Sequence, residues 1–294
     1  MRLLSYSHDG RSTYGATLER GDGDDRVIDL GDAVEGVSDL SQLLASGRVD
    51  EARTAAARAA DEDASEVRLT DITFERTLPH PGKILCIGVN YGGRNAEYQD
   101  GQEAPPNPSV FIRFPESLVG HEQDLVRPPE SEQLDYEGEI VVVIGTRGRR
   151  IPQERARDHI AGLTLGNEGT VRDWVRHAKF NVTQGKNWES SGSIGPWLVT
   201  IDDIDTFDDL HLTTRVNGEL RQDDTPASMA YPIDFQLAYL STFCTLEPGD
   251  VIFTGTPIGA GARFDPPRFL RPGDVVEVNV PEIGTLRNGV RDET

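Results

Sequence analysis

A chain of 294 residues can bury a full core, and its 50 acidic residues against 29 lysines and arginines give a formal charge of −21. That sign excludes the basic surface needed to bind nucleic acid or an anionic membrane. No apolar run is long enough to span a bilayer and the N-terminus lacks the order of a signal peptide, so the chain is expected in the cytoplasm.

In chain order, residues 1–78 read as a small N-terminal domain. Alternating apolar positions predict short strands at Met1–Ser7, Thr13–Leu18 and Arg26–Leu30, and an alanine-rich helix follows at Asp50–Ala60. The turn-rich joint Leu78-Pro79-His80-Pro81-Gly82 marks the boundary, and residues 79–294 form the larger domain. There the spacing predicts strands at 83–89, 110–113, 139–144, 163–165, 197–200, 212–216, 251–253 and 275–280. Helices are predicted at Tyr231–Phe243 and, shorter, at Gln153–His159. The class is β-rich α+β, without βαβ alternation. Cys86 and Cys244 stand far apart and outside any CxxC spacing, which indicates buried apolar roles. The two Leu-x-Pro-Gly-Asp-Val echoes, ending at Val251 and Val275, are turns that need no chemistry from Asp250 or Asp274.

Several segments bear candidate chemistry. Glu137 and Glu139 lie two apart at the mouth of the apolar run Ile140–Ile144, so an extended chain projects both carboxylates from one face. Glu168, in Gly166-Asn167-Glu168-Gly169, supplies a third oxygen ligand, and three carboxylates suit Mg²⁺ or Mn²⁺. Taken singly, each glutamate also fits a solvated charge at a strand end. Lys186 is one of only three lysines, with Lys83 and Lys179. It suits a compact ammonium reserved for a substrate oxyanion, or equally a surface lysine on a loop. The scarcity of lysine beside abundant acid predicts a salt-loving source and a protein that loosens in low salt, or an acidic surface kept for solubility. Backbone N–H groups and hydroxyls in Thr254-Gly255-Thr256-Pro257 can receive a carboxylate. Asn90, Tyr91, Arg94 and Glu97 belong to a polar segment after a strand that reads as a lid, with Glu97 as its candidate base.

Taken together and in this order, the segments resemble the fumarylacetoacetate hydrolase superfamily over residues 83–289. The pattern runs through a G-x-N-Y lid, Y-E-x-E, a strand-end acidic motif, a lysine loop, V-N-G-E and L-x-P-G-D-x-I-x-T-G-T-P-x-G, and the last is nearly complete from Leu246 to Gly259. The resemblance implies a β-rich roll or sandwich, a homodimer, and Mg²⁺ or Mn²⁺ held by Glu137, Glu139 and Glu168. It further implies Lys186, Thr256, Gly255, Asn90 and Tyr91 around a small 2-oxo acid substrate. Four positions depart from it. Arg94 stands where the lid pattern has histidine, Glu168 and Glu189 stand for aspartate, and Ser193 stands for proline. The leading expectation is C–C hydrolysis of an acylpyruvate-like or fumarylacetoacetate-like substrate through a metal-bound enolate. Arg94, always protonated, cannot replace a histidine base, so Glu97 alone or His121 must activate water. The alternatives are an isomerase or decarboxylase of a hydroxymuconate-type diacid, in which Arg94 pairs with a second carboxylate, a dehydratase of a 2-keto-3-deoxy sugar acid, or a non-catalytic metabolite binder.

Overall fold

The computed structural model describes residues 1–18, 25–61, 66–93, 106–178 and 181–294. Its centre is the strand Gly138–Ile144, all seven residues of which are buried. Residues of a strand alternate between faces. Ile140, Val142 and Ile144 accordingly enter one core cluster, with Leu163, Leu237 and Ile252. Val141 and Val143 enter another, with Leu3, Leu40, Leu43 and Phe253. Burying each such aliphatic side chain contributes roughly 1.5–3 kcal/mol, so an apolar run without alternating polar residues is stable only where both sheet faces are covered.

Gly138–Ile144 pairs antiparallel with Ile160–Asn167 on one side and with Val251–Phe253 on the other. Val251–Phe253 in turn runs parallel to Ile84–Gly88. On the far side Ile160–Asn167 pairs with Gly192–Thr200, and that strand pairs with Arg2–His8 of the N-terminal region. The N-terminal strands therefore extend the same sheet, and the helices Leu40–Ser46 and Val49–Asp61 contribute to the core on its Val141 face. A second sheet, built on Leu212–Val216, Glu219–Asp224, Val275–Val280 and Gly284–Asp292, completes a mixed, strand-rich α+β fold. The predicted helix at 231–243 is α-helical over Ile233–Phe243, whereas Gln153–His159 is a 3₁₀ segment. Among the described residues no helix is long and apolar enough to cross a membrane.

Two local constraints shape the centre. Gly138 separates the paired glutamates because a Cβ there would run into Thr214 Oγ1 of the second sheet. Asp250, placed by its Pro-Gly turn, is fully buried and ion-paired with Lys83 at 2.7 Å, so it locks a turn to a strand.

Candidate active site

The register between Gly138–Ile144 and Ile160–Asn167 builds the site. Gly138 faces Asn167, so the residues just outside the ladder, Glu137 and Glu168, become neighbours. The Glu168 N–H donates to the Glu137 carbonyl at 2.7 Å, and Asn167 Oδ1 accepts the Glu137 N–H at 2.9 Å. Glu137, Glu139 and Glu168 are 3%, 1% and 2% exposed, which overrules the reading of each as a solvated strand-end charge. Lys186, 6% exposed on the short helix Thr183–Lys186, sends its Nζ between them. It donates to Glu168 Oε2 at 2.9 Å and to Glu137 Oε2, with the Phe111 ring 5.2 Å away. Its pKa moves upward: burial opposes the charge, but Glu137 and Glu168 outweigh burial. Glu139 accepts from the Gly255 N–H at 2.7 Å. Burial, then the charges of Glu168 and Glu137, hold its carboxyl well above the usual carboxylate range.

The remaining expected residues are distributed unevenly. Gly255 adopts φ +104°, and a Cβ there would lie 2.7 Å from that of Asn90, so only glycine presents this N–H to Glu139. Thr256 is buried, but its hydroxyl donates to Gly138 O at 2.9 Å and accepts from Gln222 at 2.8 Å. Asn90 is a strut whose amide spans Thr254 O, Tyr231 O and the Tyr231 N–H. Tyr91 is buried in the core, and among the described residues its hydroxyl has no hydrogen-bond partner. Arg94 and Glu97 lie outside the described residues. His121 packs edge-on to Phe74 at 4.6 Å and accepts the Arg287 N–H at 3.0 Å. None of the six histidines, all among the described residues, hydrogen-bonds or ion-pairs with the three glutamates or Lys186.

The structure also brings in residues that sequence reasoning passed over. Arg172, four after Glu168, donates to Glu137 Oε1 at 2.8 Å and to Asp135 Oδ2 at 2.7 Å. Arg113 is buried and holds Gly169 O at 2.9 Å and Ser191 Oγ at 3.0 Å. Cys86 lies against Glu168, and burial, then that charge, push its thiol well up. Arg172 was visible in the strand-end motif and Asp135 as the acid two before Glu137; nothing local marked Arg113.

Among the described residues no three carboxylate, histidine or thiol groups already form a closed metal cage, since Lys186 bridges Glu137 and Glu168 instead. The donor set nevertheless fits a divalent cation. The buried acids Asp135, Glu137, Glu139 and Glu168 outnumber the cations Arg113, Arg172 and Lys186, a crowding that the raised pKa of Glu139 reflects, and among the described residues Glu168 Oε1 is buried without a hydrogen-bond partner. Hard carboxylate oxygens with an uncompensated charge are what Mg²⁺ or Mn²⁺ takes up.

The sequence model described as fumarylacetoacetate (FAA) hydrolase C-terminal matches residues 83–291. The chain belongs to that family. Among its relatives, oxaloacetate tautomerase YisK of Bacillus subtilis is 42% identical over 226 residues, covering 76% of this chain and 74% of the other. Two solved structures cover the full length of both chains at 32% identity. One is a fumarylacetoacetate hydrolase from Exiguobacterium antarcticum, with a TM-score of 0.82. The other is a probable 2-hydroxyhepta-2,4-diene-1,7-dioate isomerase from Mycobacterium abscessus, with a TM-score of 0.79. Members of the fumarylacetoacetate hydrolase superfamily are hydrolases, isomerases and tautomerases, commonly with a divalent metal, and this chain is an enzyme of that superfamily.

Proposed function

We propose that this enzyme interconverts the keto and enol forms of a small 2-oxo diacid such as oxaloacetate, without attack by water. The observation that carries the reading is the composition of the buried cluster: carboxylates, Lys186 and Arg172 surround it, and no histidine is bound to it. Such a site can polarise a 2-oxo group and stabilise negative charge, and with arginine at position 94 the lid pattern lacks the imidazole that would pair with Glu97 to activate water. The identity with an oxaloacetate tautomerase supports the same chemistry.

Glu137, Glu139 and Glu168 would hold Mg²⁺ or Mn²⁺, which when bound supplies Lewis-acid polarisation of the 2-oxo oxygen. The protein's own groups do the rest. The Gly255 N–H and the central strand fix Glu139, while Lys186 balances charge beside the reacting oxygen. A proton leaves C3 for a carboxylate base, assigned to Glu97 on the strength of the lid pattern, and a proton is placed on the oxygen at C2. The C3–H electron pair becomes the C2=C3 bond, so no carbon–carbon bond breaks and no water is consumed. Arg94, where a hydrolytic member carries histidine, is suited to the second carboxylate of the diacid.

The test follows ultraviolet relaxation of enol oxaloacetate with enzyme and Mg²⁺, and acetylpyruvate cleavage in parallel. Faster relaxation without cleavage is expected. Acetylpyruvate cleavage dependent on Glu139 would instead establish the hydrolase.

A further inference from the structure

We propose that Asp135 is a positioning residue that sets how far Arg172 neutralises Glu137, and so tunes the affinity of the carboxylate cluster for a divalent cation. The inference rests on that cluster being the cation site of the proposed enolising centre. Asp135 is fully buried, and both its oxygens are engaged. Oδ1 accepts the Gly261 N–H at 2.8 Å and its neighbour Tyr136 N–H at 2.9 Å. Oδ2 accepts the Ala262 N–H at 2.9 Å and Arg172 Nε at 2.7 Å. A Cβ on Gly261 would lie 2.2 Å from Arg268 O and 2.7 Å from Oδ1, so this loop closes on both the Arg268 backbone and the carboxylate.

The pairing of Leu134–Asp135 with Thr170–Val171 places Arg172 beside Asp135. The guanidinium of the Arg172 side chain, which is 12% exposed, is then divided between two buried carboxylates two residues apart, Nε on Asp135 and Nη2 on Glu137. A planar fork can serve two acceptors at once, which an ammonium cannot do with fixed geometry. With its charge shared, Arg172 leaves more of the Glu137 charge for Lys186 and for a cation. Removing the Asp135 charge makes the cluster one unit less negative and shifts the Arg172 charge toward Glu137. Outer partners of metal-ligating carboxylates are known to govern both orientation and affinity.

The experiment is a double-mutant cycle on the full chain. Mn²⁺ affinity is read by calorimetry and free-ion electron spin resonance, separately from turnover. Asp135→Asn keeps an oxygen for Gly261 but loses the charge facing Arg172, and is expected to weaken Mn²⁺ about 10-fold. Arg172→Gln should bind Mn²⁺ at least as tightly as the unmodified chain, and adding Asp135→Asn to it should then cost little or nothing. Unchanged affinity in Asp135→Asn would overturn the proposal, as would equal weakening in both backgrounds, since that reports loop packing or the lost charge itself, neither acting through Arg172. Should Asp135→Asn not fold, Arg172→Gln decides: weakening of about 10-fold or more makes the arginine a required support for Glu137 and overturns the proposal. An unmodified chain that binds Mn²⁺ but does not enolise would sink the proposed function while leaving the cycle decisive for Asp135. Failure of that chain to bind Mn²⁺ at all would overturn both.

Discussion

Lys186 is the residue on which the charge balance of the metal-free cluster turns. Removing one partner of a buried pair strands the other, at a cost of about 3–5 kcal/mol. Lys186→Met should therefore lower thermal stability in chelator by that order, and Mg²⁺ should recover more stability in the variant than in the parent, as calorimetric scans would show. His121 offers a pH test away from the cluster. Burial, then Arg287, push its pKa down to about 4. In the unfolded chain it titrates near 6.5, so between about pH 6.5 and 4 the unfolded state binds the extra proton and stability falls with falling pH. The contribution is complete above that window and has an upper bound of about 3 kcal/mol. His121→Gln should flatten the change in denaturation midpoint between about pH 7 and about pH 5; an unaltered slope would remove His121 from the account. At this scale the acidic residues were legible because their spacing is chemical. The role of Asn90 was not, since an amide that props two loops through backbone atoms leaves no periodic trace.

The antiparallel ladder is the element that turns sequence spacing into a site. Glu137 and Glu168 are 31 residues apart in sequence and meet because Gly138 pairs with Asn167. The apolar run and its two boundary glutamates could be read directly, but the register could not, because it is set by facing cores. Gly138 is where this matters most. Gly138→Ala should cost about 1–3 kcal/mol by overpacking against Thr214 and Val278, and should reduce cation affinity by moving both flanking glutamates. Among the described residues the Thr214 hydroxyl has no hydrogen-bond partner. Thr214→Ala in the same chain should therefore restore much of both losses, measured by chemical denaturation and Mn²⁺ titration.

Across the whole molecule, 50 acidic residues against 29 lysines and arginines repel one another wherever they are solvated. Raising KCl from about 0.1 M to about 1 M shortens the screening length from about 10 Å to about 3 Å. The melting temperature should rise over that range, and a flat or falling profile would remove the low-salt expectation. Composition made this property legible, and the β-rich class followed from the density of short apolar runs. The union of the N-terminal strands with the main sheet did not, because Arg2–His8 meets its partner Gly192–Thr200 only through long-range packing. The most direct test of the whole account is proton NMR of oxaloacetate in D₂O with Mg²⁺ and molar KCl, comparing the enzyme with a folded Glu139→Gln variant. The account predicts deuterium entering C3 faster than with Mg²⁺ alone, no faster formation of pyruvate, and loss of the acceleration in the variant. Exchange no faster than with Mg²⁺ alone, or accelerated release of pyruvate, would contradict it.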